Sequence, residues 1–384
     1  MPALKQRPKQ TLASRPGAKR KIRYAVVGLG YIAQIAVLPA FAHTGKNSEL
    51  VALVSDDPLK LKQLSKKYKV ANTYSYEQYD ACLKGGEIDA VYIALPNNMH
   101  REYTERAAHA GIHVLCEKPM AVTVKECEAM IKATEQNRVK LMIAYRLHFE
   151  EANLKAAEIV QSGKIGEPRF FSSLFAQQIK AGDIRLQKAL GGGTLYDMGI
   201  YCINAARYLF HDEPTEVFAY SANNGDERFS EVEEMTCVIM RFPNQRLAQF
   251  VSGFGSADVS MYQVVGTKGG LRLDPGYEIA AELTHRLTIG GKIRKRVFAR
   301  RDQFAPELLY FSNCVLNDET PEPSGKEGLA DVRIIAALYQ SIKTGKPVKL
   351  DTFQRKRRPT LQQESKSPPI EKPELIHAET PTGN

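Results

Sequence analysis

No uninterrupted apolar run in this 384-residue sequence approaches the roughly 20 residues that a membrane-spanning helix requires. The first 23 residues also lack an apolar segment, which argues against a Sec-type signal peptide. A mitochondrial presequence is the weaker alternative, because this stretch contains arginines and no acidic residue. We therefore expect a cytoplasmic protein with no membrane partner.

Spacings typical of metal sites and disulfide frameworks are also missing. The six cysteines form no CxxC pair, and the eight histidines include no HExxH pattern or comparable pair. Closely spaced cysteines would be expected of a structural zinc site or of a disulfide framework. Their scatter indicates a reducing compartment, and we expect neither a structural nor a catalytic metal.

Positive charge is concentrated at one end of the chain. Residues 1–23 contain eight basic side chains and no acidic one, so removing them lowers the net charge from +10 to +2. We interpret residues 1–21 as a basic, flexible arm on a nearly neutral body. A nucleic-acid-binding arm is the alternative, but no helix-turn-helix or finger pattern accompanies it. We therefore expect no nucleic-acid partner.

The length suits two domains rather than one. Residues 22–145 alternate short β-branched runs with helical patterns, which predicts a Rossmann domain with a doubly wound parallel sheet. Pro39 lies inside the first helical segment and should kink or interrupt it. The predicted strands are Ile22–Val27, Leu50–Val54, Ala90–Ala94, His113–Cys116 and Lys140–Ala144. The predicted helices include Leu59–Tyr68, His100–Ala110 and Thr123–Gln136.

Residues 146–350 are predicted to form an α+β domain with an open, mostly antiparallel sheet. Its last helix, at 328–343, should pack back on the Rossmann domain. Residues 351–384 are rich in proline, so we predict a tail that is disordered or laid over a neighbouring subunit. The other predicted helices are Glu151–Gln161, Gly199–Leu209 and Pro306–Leu316. The predicted strands are Arg169–Gln177, Glu216–Ser221, Thr236–Phe242, Leu247–Ser252, Ser260–Val265 and Gly270–Leu273.

A glycine-containing segment, GLGYIA at residues 28–33, closes the first predicted strand and opens a helix. Gly28 would allow a tight turn, Gly30 would let the backbone approach a pyrophosphate, and Ala33 would permit close helix–strand packing. A plain glycine turn is the alternative. Because the segment stands between an early strand and a helix, it favours dinucleotide binding.

The end of the second predicted strand indicates which dinucleotide binds. An acidic residue there would bond the ribose 2′-hydroxyl of NAD, whereas this sequence has Ser55, with Lys60 five residues later. A hydroxyl and a nearby cation suit a 2′-phosphate. Asp56 or Asp57 could take the ribose role instead. The sequence therefore favours NADP over NAD.

Two further segments carry side chains suited to hydride-transfer chemistry. Lys118 follows a predicted strand, where its ammonium could orient a substrate oxygen or favour ionisation of a neighbouring acid. Asp197 and Tyr201 stand four residues apart and would share one face of a helix. Beside a lysine, a tyrosine phenolate is favoured and can exchange a proton with a sugar hydroxyl. The alternatives are a surface lysine, a helix-capping aspartate and a core tyrosine.

The segment PNNMH at residues 96–100 follows another predicted strand, at the edge of the sheet where ligands bind in open α/β folds. Asn97 or Asn98 could instead cap the next helix, and both interpretations can hold together. With GLGYIA, CEKP and DMGIY, this segment gives four motifs in a defined order along the chain.

On these four motifs and their spacing, the chain from about Ile22 to Leu350 resembles the Gfo/Idh/MocA oxidoreductase family. Tyr201 stands where most of the family has histidine, a departure shared with the glucose–fructose oxidoreductase group, the dimeric dihydrodiol and xylose dehydrogenases and some nucleotide-sugar ketoreductases. The resemblance is closest to the glucose–fructose oxidoreductase group. The features that carry it are Ser55 and Lys60 after the second strand, Tyr74-Ser75-Tyr76, Tyr145-Arg146, and Arg185-Leu186 ahead of Gly191–Gly193. It implies a Rossmann domain followed by an α+β domain with an open sheet. It also implies a cofactor site formed by Gly28, Gly30, Tyr31, Ile32, Ser55, Lys60, Tyr76, Leu95, Pro96, Asn97, His100, Glu117, Lys118 and Arg146.

By the same resemblance, Lys118, Asp197 and Tyr201 are catalytic, and Arg146 and Arg185 join them in binding substrate. The implied reaction is NADP-dependent oxidation of the C1 hydroxyl of a pyranose sugar to a lactone, with Tyr201 as general base. The alternatives are a carbonyl, trans-dihydrodiol or nucleotide-sugar keto reductase with the same site, and a cofactor-bound regulator without catalysis. We expect a homo-oligomer, dimeric or tetrameric, with the open sheet as its interface and the N-terminal arm close to the dinucleotide.

Overall fold

The computed structural model describes residues 20–355 and 357–383 of the chain. Within these residues the backbone forms two β-sheets, one from residues 22–144 and one from residues 168–349. Almost all of the arm predicted at residues 1–21 therefore lies outside the described residues. Arg20 is described, and its guanidinium lies 3.8 Å from the Asp89 carboxylate.

The first sheet, as far as the chain is described, is entirely parallel, which confirms the predicted doubly wound architecture. Its strands are β1 (Ile22–Val27), β2 (Ser48–Val54), β3 (Asn72–Tyr74), β4 (Ala90–Ile93), β5 (His113–Glu117) and β6 (Leu141–Ala144). They lie in the order β3-β2-β1-β4-β5-β6. The order reverses between β1 and β4, so the carboxyl ends of these strands flank the crevice where such sheets bind ligands.

The first helical segment is irregular, as the position of Pro39 predicts. It begins as a π-helical turn at Ala33–Val37, continues as the short α1 (Leu38–Ala40) and ends in a 3-10 turn at Phe41–His43. Proline has no N–H to donate, so the regular hydrogen-bond ladder cannot run through this point. The other helices of this domain are α2 (Pro58–Tyr68), α3 (Tyr79–Lys84), α4 (His100–His109) and α5 (Val124–Gln136).

The second sheet is open and mostly antiparallel, as predicted. Its strands, within the described residues, are β7 (Pro168–Gln178), β8 (Glu216–Ala222), β9 (Met235–Phe242), β10 (Arg246–Gly253), β11 (Gly255–Gly266), β12 (Gly269–Leu273), β13 (Leu283–Ile289), β14 (Lys292–Phe298) and β15 (Val348–Lys349). They lie in the order β14-β13-β12-β11-β7-β10-β9-β8-β15, with β7 and β10 parallel.

The two faces of this sheet have different environments. Residues of β9 are alternately exposed and buried, so one face packs on the body of the domain. Helices α6 (Glu151–Gln161) and α7 (Ile200–Phe210) belong to that body. The opposite face carries large apolar side chains that are more than a third exposed, including Phe170, Leu174, Tyr220, Ile239 and Leu247.

The last two helices connect the domains. Helix α8 (Ala305–Leu316) contacts β1 and β2, and α9 (Gly325–Thr344) contacts both α5 and β8. At Gly328, a side chain would collide with Met120, so α9 lies close against the Rossmann domain. In the described part of the chain, no helix is long and apolar enough to cross a membrane, and no cluster of three or more His, Cys, Asp or Glu side chains could hold a metal ion.

The C-terminal tail differs from its prediction. As far as it is described, it lies along its own chain, and ion pairs and backbone hydrogen bonds hold it there. Arg355 pairs with Glu327 at 2.7 Å, and Arg358 pairs with Glu213 at 2.6 Å. Polar contacts of this kind leave no hydrophobic pattern in the sequence, so composition alone suggested disorder.

Candidate active site

A cleft of about 780 Å³ opens between the two domains, at the carboxyl ends of the Rossmann strands. The second domain contributes β7, the segment 184–201 and the loop 277–280 to its walls. Every predicted site residue except His100 lines this cleft. Those that line it are Gly28, Gly30, Tyr31, Ile32, Ser55, Lys60, Tyr76, Leu95, Pro96, Asn97, Glu117, Lys118, Arg146, Arg185, Asp197 and Tyr201.

The glycine turn after β1 is shaped to admit a ligand. Gly28 has a φ of 92°, and a Cβ atom there would clash with the carbonyl group of Ala94. At Gly30, by contrast, a Cβ atom would meet no described atom within 4 Å. The backbone at Gly30 therefore faces open space where a phosphate can approach it, and the turn fits a dinucleotide.

The end of β2 presents a hydroxyl and an ammonium to the cleft. Ser55, Lys60 and Tyr76 line it, whereas Asp56 and Asp57 do not. The Asp56 carboxylate accepts a hydrogen bond of 2.7 Å from the Tyr76 backbone N–H. The Asp57 carboxylate caps α2 by accepting from two backbone N–H groups. Asp57 Oδ2 also lies 3.9 Å from Lys60 Nζ, so both carboxylates have partners within the protein and neither lines the cleft.

His100 does not face the cleft, so its predicted contact with the cofactor is corrected. Its imidazole is fully buried, with Nδ1 2.9 Å from the Pro119 carbonyl oxygen and Nε2 2.9 Å from the Leu95 carbonyl oxygen. Burial lowers the pKa of His100, against the hydrogen bonds to the Pro119 and Leu95 carbonyls, which raise it. The residue ties the loop after β4 to the turn after Lys118, and it positions both.

Asn97 lines the cleft and also joins the two domains. Its side-chain amide donates a hydrogen bond of 2.9 Å to the Gly191 carbonyl oxygen. Helix α4 begins at His100 without a side-chain cap among the described residues, so the alternative capping role of this asparagine is not seen. Asn97 instead fixes the glycine-rich segment of the second domain against the Rossmann loop.

Asp197 is an ion-pair partner at the centre of the site. It lies in the π-helical turn Leu195–Gly199 that leads into α7. Its Oδ1 accepts from Lys118 Nζ at 3.1 Å, and its Oδ2 accepts from Arg185 Nε at 2.7 Å. Burial opposes the charge of Asp197, but Arg185 and Lys118 outweigh burial and hold the pKa of this carboxyl well below its usual range.

Lys118 keeps its charge for the complementary reason. Burial disfavours the ammonium, yet the negative charges of Asp197, Tyr201 and Glu117 outweigh it and raise the pKa of Lys118. A second hydrogen bond of 3.0 Å joins Nζ to the Asp197 backbone carbonyl. The ammonium is therefore both charged and held in place.

Tyr201 projects into the cleft from the start of α7, between two cations. Its phenol oxygen accepts a hydrogen bond of 3.2 Å from Arg146 Nε. Lys118 Nζ lies 4.8 Å from the centre of the ring, and Arg146 Cζ lies 5.0 Å from it. The sequence predicts that Lys118 alone stabilises a phenolate at Tyr201. The structure adds Arg146 as the group that contacts the oxygen directly.

Arg146 is held by the second domain, through residues that no sequence motif marks. The residue is 4% exposed. Its remaining N–H groups donate to Gln303 Oε1, to the Tyr277 carbonyl oxygen and, at 3.4 Å, to the Glu278 carbonyl oxygen. A guanidinium has a rigid, planar set of donors, so these bonds also fix the direction of Nε toward the phenol.

Other parts of the cleft wall were also not predicted from the sequence. Phe175 and Tyr277 pack beside Tyr201, with ring centres 5.5 Å and 6.0 Å from its own. Ile370, Lys372, Pro381 and Thr382 bring the C-terminal tail to the cleft. A strand with alternating side chains could have suggested Phe175, but nothing in the sequence indicates where the tail lies.

Comparison with protein families agrees with this geometry. Residues 22–145 match the Gfo/Idh/MocA model described as an oxidoreductase family with an NAD-binding Rossmann fold. Residues 153–272 match the model of the Gfo/Idh/MocA C-terminal domain. The chain belongs to the Gfo/Idh/MocA oxidoreductase family. The resemblance expected from the four motifs is thus confirmed, and so is the oxidoreductase class.

Several characterised relatives align over most of the chain. A D-xylose 1-dehydrogenase of Haloarcula marismortui, named for NADP(+), is 31% identical over 86% of this chain and 93% of its own. A dTDP-3,4-didehydro-2,6-dideoxy-α-D-glucose 3-reductase of Saccharopolyspora spinosa is 29% identical over 84% of this chain and 97% of its own. The crystal structure of an aldose–aldose oxidoreductase from Caulobacter crescentus, complexed with glycerol, is 40% identical, with a TM-score of 0.83 over 86% of this chain and 100% of that one.

Proposed function

We propose that this oxidoreductase uses NADP to oxidise the C1 hydroxyl of a pyranose aldose to the lactone. The observation that carries the proposal is a phenol, Tyr201, that faces the cleft with Arg146 on its oxygen and Lys118 beside its ring. The names of the Haloarcula and Caulobacter relatives, which refer to D-xylose and to aldoses, support the substrate class. When bound, NADP⁺ supplies the hydride acceptor.

The choice of NADP follows from the end of β2. Ser55 and Lys60 face the cleft there, and they can receive a 2′-phosphate through a hydroxyl hydrogen bond and a charge-assisted bond. Asp56 and Asp57 are engaged by backbone N–H groups instead. The NADP(+) in the name of the Haloarcula relative supports the same choice.

The proton goes to Tyr201. With the C1 hydroxyl of the sugar at the phenol oxygen, the phenolate accepts the hydroxyl proton as the C1–H bond breaks and its electron pair leaves as hydride. The C1–O bond becomes the carbonyl of the lactone, and the ring oxygen stays in place. Arg146 and Lys118 stabilise the negative charge that the phenol carries before the transfer.

Asp197 has an orienting role in this scheme. Because Lys118 and Arg185 both bond its carboxylate, the three side chains hold one another in a fixed arrangement at the mouth of the sugar site. One N–H edge of Arg185 and the free face of the Lys118 ammonium can then meet sugar hydroxyls. Holding the sugar with C1 near the hydride acceptor converts the transfer into an effectively unimolecular step.

A second candidate is the reduction of a keto group on a nucleotide sugar. The relative from Saccharopolyspora spinosa, whose name describes such a reaction, supports it. In that direction Tyr201 would donate its proton to the new alkoxide. The two functions differ in the substrate that turns over and in the cofactor form that is consumed.

A panel of aldoses and one dTDP-linked keto sugar tests the proposal. Purified protein is incubated with each aldose and NADP⁺ or NAD⁺, and with the keto sugar and NADPH, while the absorbance of reduced nicotinamide is followed. We expect NADPH formation with at least one pyranose aldose, together with a lactone that hydroxylamine traps. Turnover of the keto sugar alone would contradict the proposal and favour the second candidate.

We also propose that the exposed face of the second sheet is covered by a second copy of this chain. Phe170 and Leu247 are paired neighbours on adjacent strands, and Leu174 and Ile239 extend the same apolar face. An apolar face of this extent on a monomer would favour association. Replacing Ile239 and Leu247 with lysine should lower the mass measured by light scattering to that of one chain, and an unchanged mass would contradict this interface.

A further inference from the structure

The C-terminal segment 368–382, here called the strap, crosses the mouth of the cleft. It begins at a loop of the second domain, where the Pro368 carbonyl accepts a hydrogen bond of 3.3 Å from the Asp302 backbone N–H. The Arg300 guanidinium donates to the Ile370 carbonyl at the same loop. From there the strap passes over the Rossmann domain and returns to the second domain. Four of its residues, Ile370, Lys372, Pro381 and Thr382, line the cleft.

The strap is tied to the phosphate-binding turn through one buried amide. Gln34 is 1% exposed. Its Nε2 donates to the carbonyl oxygens of Leu29 and Ile376, both at 2.9 Å. Its Oε1 accepts from the Ile376 backbone N–H at 2.8 Å. The glycine turn and the strap are therefore joined through the side chain of one residue.

A second tie lies at the ribose end of the cleft. His377 Nδ1 is 3.1 Å from Asp57 Oδ2, and Asp57 follows Ser55 and caps the helix that carries Lys60. His377 has a φ of 44°, a left-handed conformation that a histidine adopts at some cost.

The end of the strap is fixed to the far wall. The Pro381 carbonyl accepts a hydrogen bond of 2.9 Å from the Lys180 backbone N–H, and Thr382 forms an isolated β-bridge with Ile179 just beyond β7. Pro381 is buried in this position. The strap is thus attached to the second domain at both ends and to the Rossmann domain in its middle.

We propose that the strap is part of the dinucleotide site: it forms the outer wall over the adenosine half of NADP(H) and has to move for the nucleotide to exchange. The inference rests on the proposed use of NADP. The strap lies outside both family-model matches, which cover residues 22–145 and 153–272. Among the described residues no carboxylate pairs with Lys372, so its ammonium is available to a ligand phosphate.

Two variants test the strap while leaving the rest of the tail in place. Removal of residues 365–384 keeps the ion pair of Arg358 with Glu213. Ile376→Pro is a smaller change: it deletes the N–H that donates to Gln34 Oε1, together with the half-buried side chain that packs against the Rossmann core. Glu379→Pro is the matched control, since Glu379 is exposed and its N–H has no hydrogen-bond acceptor among the described residues.

The readout is the rate at which preloaded NADPH leaves the protein when chased with excess NADP⁺, followed by fluorescence. We expect release to be at least about tenfold faster in the truncated protein and in Ile376→Pro, the effect of losing one or two net hydrogen bonds. Glu379→Pro should behave like the unaltered chain. Equal release rates would overturn the proposal, and tighter NADPH binding after truncation would show that the strap competes with the nucleotide.

Hydrogen exchange on the unaltered full chain provides a measurement that does not depend on a variant folding. Adding NADPH should slow amide exchange in residues 368–382, because the nucleotide holds the strap closed. If NADPH protects the glycine turn but leaves exchange in residues 368–382 unchanged, the proposal that the strap covers the nucleotide is contradicted, whereas the proposed function is not. A full chain that binds no nicotinamide nucleotide would contradict the proposed function, and the strap proposal would fall with it.

Discussion

Replacement of Arg146 tests how the phenol of Tyr201 is activated. In the structure Arg146 Nε donates to the phenol oxygen at 3.2 Å, and the residue is almost fully buried. A hydrogen bond to a charged group contributes about 1.5–3 kcal/mol. Since about 1.4 kcal/mol corresponds to a tenfold change in rate, Arg146→Gln should lower kcat for aldose oxidation by roughly 10- to 150-fold.

Chemical rescue of the same variant separates catalysis from structure. Guanidinium ion added to the medium should restore part of kcat, whereas KM for the sugar should change less than kcat.

Arg246→Gln is the matched control for this prediction. Arg246 is also buried, donates to two backbone carbonyls and lies 5.2 Å from the Phe210 ring centre, but it does not line the cleft. Its loss should lower stability, and added guanidinium ion should not change kcat of that variant. If Arg146→Gln lowers kcat and added guanidinium ion restores none of it, Arg146 only supports the fold, and the reasoning is refuted.

Three further predictions concern the proton, the cofactor and stability. Tyr201→Phe should lower kcat by about 10²- to 10⁴-fold with little change in NADP affinity, and near-normal turnover would show that another group carries the proton. Lys60→Ala should raise the Kd for NADP by roughly 10- to 150-fold, the scale of a charge-assisted bond, and leave NAD nearly unaffected; equal losses would contradict a 2′-phosphate site. Burial lowers the pKa of His285 to about 4, whereas the pKa of a histidine in the unfolded chain is about 6.5. Between these two pH values the unfolded chain binds a proton at His285 and the folded chain does not. The free energy of unfolding therefore decreases as pH falls from about 6.5 to 4. In denaturant titrations of His285→Gln this decrease should be smaller by roughly 2–3 kcal/mol than in the unaltered chain. An identical pH dependence of the two proteins would contradict the assignment.

Much of the fold could be predicted because its signals are local. The strand at Ile22–Val27 is a β-branched run, and the observed β1 has the predicted limits. Two of the strands that were missed, β3 and β14, lack this signal. Residues 72–74 form only a short, half-exposed β3, and β14 contains four basic residues and is exposed along nearly its whole length. Their pairing with β2 and β13 holds them in the sheets, and no window of the sequence shows such pairing.

The site could be predicted where motifs stand at strand ends, because a parallel sheet gathers those ends at one edge. Ser55 and Lys118 reach the cleft for this reason. His100 stands in such a motif too, but the start of α4 turns its ring inward, and a motif does not encode that direction. The bond between Arg146 and Tyr201 joins residues 55 positions apart, and the strap contacts Gln34 across 342 positions. Such contacts depend on the packed structure and not on local sequence.

The central claim is that hydride passes from C1 of an aldose to bound NADP⁺ while Tyr201 takes the proton. Its most direct test is a single-turnover reaction of the full chain with NADP⁺ and an aldose that carries deuterium at C1, with both products analysed by mass spectrometry. The account predicts one deuterium in the reduced nicotinamide, a lactone without deuterium at C1, and loss of both products in Tyr201→Phe. Reduced nicotinamide without deuterium, or deuterium transfer that persists at the normal rate in Tyr201→Phe, would contradict it.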